Sequence, residues 1–256
     1  MLLELYSNMS VGHAENVVLK QYGDIVSVAD AGKDVTKFGR FESLGTSPET
    51  VSWLGGDETF ATTNAIDSII SNSASDTTVM LIQGHTVIGT GTSAVFTEVQ
   101  QEATLNGTTR VVLGTPLARV QRVRVVGTAP IVGDVTVYEN GGDDFLQVPA
   151  GANQSYKASM TTAGDEYLFL TGFFCSVTKK QSAYADFETQ VRDVGGPFRP
   201  QIRMSLGSVS QNSDQINFDP YLIVKPNSDI RVVAVSSATG TAVDAAFQGY
   251  YAKVIG

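Results

Sequence analysis

The chain has 256 residues, 42% of them hydrophobic and 17% charged, with a formal net charge of −9. That length suits one large β domain or two of ordinary size. The acidic balance argues against a protein that coats a phosphate backbone, because such binding depends on neutralising phosphates; it leaves room for a local basic patch. One cysteine, Cys175, excludes an intrachain disulfide and fits assembly in a reducing compartment.

The opening MLLELYSNMS has neither a basic stretch nor a long apolar core, so a signal peptide is not expected. No run approaches the roughly 18 apolar residues of a membrane span. Through residues 1–45, Gly12, Gly23, Gly32, Gly39 and Gly45 interrupt every short apolar run. Segments 17–19 and 25–28 read as short strands, and 14–21 as one or two helical turns. The region is expected to be an irregular N-terminal arm lying on a neighbour; a first strand pair of the same domain is the alternative.

From Thr46 the chain becomes a regular series of short strands. Segments 66–70, 79–83 and 86–90 are predicted strands, the last two separated at Gly84. Residues 97–139 read as a four-strand meander. In it Val99, Gln101, Ala103 and Leu105 alternate with Glu98, Gln100, Glu102 and Thr104, the period of a half-buried strand. Asn106-Gly107 follows, and that pair predicts a two-residue hairpin turn with both residues at positive φ. About seven strands between 50 and 140 match a β-sandwich of Ig-like type.

Asn140-Gly141-Gly142-Asp143-Asp144 has no apolar residue and is the predicted domain boundary. Beyond it, the near-continuous apolar run 167–177 predicts a central strand. Alternation of Phe187, Thr189 and Val191 with Glu188, Gln190 and Arg192 predicts another. The series closes with a strand over 247–255 and suggests a jelly-roll-like second sandwich. The expectation is all-β: an arm at 1–45, a first β-sandwich at 46–140 and a second at 141–256.

Chemistry is sparse. His13 lies in the irregular region, and His85 falls in a predicted turn that would leave it exposed. Cys175, read on one strand face with Phe169, Phe173 and Val177, is predicted to be a buried, inert thiol. No Cys/His cluster suggests zinc, and Asp143-Asp144 and Asp165-Glu166 lack the spacing of a calcium loop. No catalytic, cofactor-binding or metal-binding residue is assigned. The candidates are partner contacts: the basic run Arg119, Arg122 and Arg124; Trp53, read either as core or as a stacking platform for sugar; and Tyr250 and Tyr251, on opposite faces of the terminal strand.

Several phrases in order carry a resemblance. They are Lys37-Phe38-Gly39-Arg40, Val51-Ser52-Trp53-Leu54-Gly55-Gly56, Ile66-Asp67-Ser68-Ile69-Ile70-Ser71, Glu102-Ala103-Thr104-Leu105-Asn106-Gly107-Thr108-Thr109, Arg119-Val120-Gln121-Arg122-Val123-Arg124-Val125 and Val148-Pro149-Ala150-Gly151, followed by Ala163-Gly164-Asp165-Glu166-Tyr167-Leu168. This order resembles that of tailed-bacteriophage virion structural proteins. The chain departs from it at Thr162-Ala163-Gly164, where a second Pro-Ala-Gly turn is expected. The resemblance implies a non-enzymatic component on the virion exterior, a tail fibre or adaptor or a capsid decoration protein, assembled in the host cytoplasm. Its implied partners are other virion proteins and copies of itself, a trimer above all, with no direct nucleic acid. The alternative is a carbohydrate-binding β module that reads host glycan.

Overall fold

The computed structural model describes residues 17–21, 24–179, 183–207 and 212–254. Its strands in chain order begin with β1 (Val17–Gln21), β2 (Asp24–Leu44), β3 (Glu49–Thr50), β4 (Ile66–Ser71), β5 (Val79–Ile88) and β6 (Val95–Thr104). Next come β7 (Val111–Leu117), β8 (Arg119–Val126), β9 (Val135–Tyr138), β10 (Asp144–Val148), β11 (Ser159–Thr161) and β12 (Glu166–Lys179). The last are β13 (Tyr184–Asp193), β14 (Arg199–Gly207), β15 (Ser213–Val224), β16 (Ser228–Ser236) and β17 (Thr241–Val254). Among the described residues the only helical element is a short 3-10 turn at Gly91–Ser93, so the chain is all-β.

The strands form antiparallel sheets that pack in pairs. One sheet has the order β1-β2-β17-β12-β15, and another the order β11-β16-β13-β14 with β3 beside β16. They share a core that includes Leu168, Phe173, Phe187, Val232 and Phe247, all buried. The other two sheets, β10-β9-β4-β7 and β6-β5-β8, enclose Ile66, Ile69, Met80, Ile82, Leu117, Val123 and Val137. Each large side chain so buried contributes about 1.5–3 kcal/mol, which makes these cores the main stabilising term of each unit.

This connectivity corrects the expected domains. The strand after Asn140-Gly141-Gly142, β10, pairs with β9, so that glycine-rich stretch is a turn inside one sheet and no boundary. The segment carrying β4 to β10 is an insertion between β3 and β11, both of which pair with β16 of the other unit. Turn formers mark hairpins and boundaries alike, and only pairing separates the two. Nor is the end of the 1–45 segment an irregular arm: β2 pairs with β17 from Val28↔Val254 to Leu44↔Thr241. Gly39 does not interrupt β2, because a Cβ there would sit 2.0 Å from the Val51 carbonyl oxygen; the glycine permits close strand packing. His13, Gly12, Gly23 and the start of the predicted helical turns lie outside the described residues.

The meander is also corrected. β6 and β8 both pair with β5, whereas β7 and β9 both pair with β4, so the chain passes between facing sheets at each turn. A period of two fixes which face is buried and says nothing about which strand lies alongside. Gly84 does not divide two strands: β5 runs unbroken from Val79 to Ile88, and Gly84 lets the Arg119 carbonyl approach to 2.1 Å of where a Cβ would stand. The Asn106-Gly107 turn exists, shifted by one residue. Thr109 N–H donates to the Asn106 carbonyl at 3.0 Å, which makes Gly107 and Thr108 its central residues. Gly107 has φ 56°, and the only positive-φ residue other than glycine is Asn227 among the described residues.

The run 167–177 is β12, between β17 and β15, as expected of a central strand. A bulge between Leu170 and Gly172 reverses its parity. Leu168, Leu170, Phe173, Cys175 and Val177 therefore share the core, and Phe169 turns to the opposite face, where it packs beside Tyr250.

Candidate functional site

The seam between the two units is built around Asp229, on β16, and Arg119, on β8. Asp229 is fully buried; it accepts from Arg119 Nε at 3.0 Å and Nη2 at 3.1 Å, from Thr161 Oγ1 at 2.6 Å and from Arg192 Nε at 2.9 Å. Burial alone would raise the Asp229 pKa, but the charge and hydrogen bonds of Arg119, the Thr161 hydroxyl and Arg192 outweigh it and hold the carboxyl below the usual range. Arg119 also donates to the carbonyls of Ala61 and Ala118. Its guanidinium lies 5.1 Å from the Phe60 ring centre and 4.8 Å from Phe96. Arg192 lies 4.7 Å from Phe60 and 4.4 Å from Phe198, and Arg231 covers Phe198 at 4.0 Å. Alternating arginine and phenylalanine thus staple the loops at 51–65 and 194–198 across the seam.

Arg119, expected on a partner-facing strand with Arg122 and Arg124, is therefore an internal residue, only 6% exposed. The bulge that sets Gly84 against Val120 and Gln83 against Arg122 breaks the alternation of the basic run. Arg122 is half-buried and donates from Nη2 to the Thr36 carbonyl at 2.6 Å, which ties β8 to β2. Arg124 is exposed.

Beside this network lies a second polar group that sequence reading missed. Lys37, 5% exposed, donates to the Gln121 carbonyl. Lys157 is also buried; it donates to the Val120 and Phe145 carbonyls at 3.2 Å and pairs with Glu58 at 2.6 Å. The available signal was parity, since Lys37 occupies the inward positions of Val35 and Gly39 on β2. His85, predicted exposed in a turn, is 2% exposed within β5, its Nδ1 3.1 Å from Gln121 Nε2. Burial, opposed by Glu98 and reinforced by Lys37 and Arg119, lowers its pKa to about 4, so the imidazole is neutral near pH 7.

Trp53 belongs to an aromatic groove. It is half-buried and meets Tyr156 edge-on at 6.2 Å; Tyr156 in turn meets Phe38 edge-on at 5.5 Å. With Arg40, Glu42 and Pro149 these rings line a depression of about 400 Å³. Arg40 is held by Glu42 at 2.5 Å and by Asp244 at 3.1 Å.

The terminal-strand tyrosines do point to opposite faces. Tyr251 is buried in the core with its hydroxyl 3.9 Å from Met160 Sδ, so it is no partner contact. Tyr250 is half-buried on the outer face, stacked on Phe169 at 5.2 Å and edge-on to Tyr221 at 5.6 Å. Cys175 is fully buried, and burial followed by the charge of Asp214 pushes its thiol up to about 12. Among the described residues no three His, Cys, Asp or Glu side chains converge as metal ligands would.

No protein-family model and no curated protein matches the chain. Among solved structures, the chain is similar to the N-terminal CBM22-1-CBM22-2 tandem domain of Paenibacillus barcinonensis Xyn10C, at 9% identity over 99% of this chain and 91% of that one, TM-score 0.23. It is also similar to the VP2 subviral particle protein of infectious bursal disease virus, at 9% identity over 88% of this chain and 78% of that one, TM-score 0.20. Likenesses at these scores carry no argument about family or function.

Proposed function

We propose that the chain is a non-enzymatic structural component on the exterior of a tailed-phage virion, a tail fibre or adaptor or a capsid decoration protein, acting through protein–protein contacts. The observation that carries this reading is the seam. Buried arginine, lysine and carboxylate groups are bound to one another and to backbone carbonyls, which makes two β units one block. A single block with a half-buried aromatic face at Tyr250 and Tyr221, backed by the buried Phe169, suits repeated docking in an assembly. The ordered phrases from Lys37 to Leu168 support the same reading. We take the unit of β4 to β10 as the Ig-like sandwich and the other as the jelly-roll-like one, in a homo-oligomer with a trimer favoured. The test is density-gradient purification of particles from infected cells, followed by surface biotinylation and mass spectrometry. The reading requires this chain in the particle fraction, biotinylated without particle disruption. Its absence from purified particles would overturn the assignment.

The Trp53–Tyr156–Phe38 groove favours a second reading, a carbohydrate-binding module for host glycan, with ring faces for the sugar and Arg40 and Glu42 for its hydroxyls. Trp53 is the only tryptophan, so its fluorescence reports directly. A saturable change with oligosaccharide, lost in Tyr156→Ala, supports this reading; no change across a glycan panel removes it.

A further inference from the structure

A cavity of about 150 Å³ opens between β2 and β8, lined by Lys37, Arg122, Lys157, Gln154 and Ser155 among others. The three cations differ in how their donors are used. Lys157 spends its three N–H groups on Val120, Phe145 and Glu58. Lys37, 95% withdrawn from solvent, has one acceptor among the described residues, the Gln121 carbonyl, for three donors. Arg122 has one for five, the Thr36 carbonyl. Ser155 Oγ accepts from Val123 N–H at 3.1 Å, which leaves its own proton to donate.

The charges do not balance locally. Glu58 offsets Lys157 and leaves Lys37 and Arg122 without a carboxylate in the cavity wall. On the far side of Lys37 stand Lys33, Asp34, His85, Glu98 and Glu166. Of these, Glu98 is held by Lys33 at 2.8 Å and His85 is neutral. Burial first, then the charges of Arg122 and Lys157, outweigh the opposing charge of Glu58 and hold the Lys37 pKa well below the usual lysine range. A buried ammonium with unused donors is costly, and an anion in the cavity would remove that cost.

We propose that this cavity is a binding site for a tetrahedral dianion, inorganic phosphate or sulfate, held by Lys37 and Arg122 with the Ser155 hydroxyl and the Gln154 amide. A dianion balances both free cations, whereas a carboxylate would leave one unmatched. The arginine fork suits adjacent oxygens of a tetrahedral oxyanion. The site stands independently of the virion reading.

Thermal melts at fixed ionic strength test it, with phosphate, sulfate, acetate and chloride compared on the full chain. The expected result is a saturable rise in Tm with phosphate and sulfate and none with acetate beyond the chloride level. Calorimetric titration of sulfate, which stays a dianion across this pH range, should show saturable binding to the full chain. Arg122→Gln, at a half-buried position, should lose the phosphate response when read against its own melt in chloride; Lys37→Met should lose it too. Equal responses to phosphate and chloride would overturn the site, as would a full phosphate response in Arg122→Gln. An acetate response equal to that of phosphate would overturn the dianion assignment. If Lys37→Met does not fold, Arg122→Gln and the sulfate titration still decide the outcome.

Discussion

Asp229→Ala removes the one acceptor that joins three donors at the seam. Arg119 and Arg192 would then face each other across the vacated space, and the Thr161 hydroxyl would lose its acceptor. The Arg192 side chain is 21% exposed and can relax outward, but that of Arg119 is 7% exposed and pinned between Phe60 and Phe96. Stranding a buried charge costs about 3–5 kcal/mol. For a chain of this size each kcal/mol shifts Tm by about 2–4 °C, so Tm should fall by roughly 6–20 °C. Circular dichroism melts measure this directly. Arg119→Met should be destabilising as well, and the double variant should lose less than the sum of the singles, because both remove the same interaction. An Asp229→Ala protein melting within about 2 °C of the wild type would refute the argument that this carboxylate joins the units.

The remaining predictions concern single residues. His85 has a folded pKa of about 4 against about 6.5 for a free histidine, so between these the unfolded chain binds a proton that the folded chain does not. Its contribution is whole above pH 6.5 and is lost as pH falls towards 4, about 3 kcal/mol in all; His85→Gln should flatten denaturation midpoints over that window. Gly107→Val should destabilise by about 1–3 kcal/mol in urea melts, since φ is positive there and a Cβ would stand 2.8 Å from the Ala74 carbonyl oxygen. Cys175 should react with a thiol reagent only on unfolding, because it is fully buried and its thiol is pushed up to about 12; rapid labelling of native protein would contradict that.

Alternating runs such as 187–192 revealed strands and their buried faces because side-chain period follows directly from strand geometry. Sheet partnership was not legible, since β6 next to β7 in sequence lies in a different sheet, and nothing in period two encodes that. The burial of Cys175 was readable from its apolar neighbours, but the face of Phe169 was not, because a bulge leaves no mark in composition. The seam stayed hidden for a related reason. Arg119 and Asp229 are 110 residues apart, and each looks like an ordinary surface charge until topology brings them together. Lys37 was missed for another reason: its parity with the inward Val35 becomes a signal only once the segment is recognised as a strand and not an irregular arm.

The assignment to a virion exterior is tested most directly by electron microscopy of intact particles labelled with gold-coupled antibody against this chain. The account predicts gold at a regular position on the outside of heads or tails, at several sites per particle. Particles that stay unlabelled while the free protein binds the same antibody would contradict it.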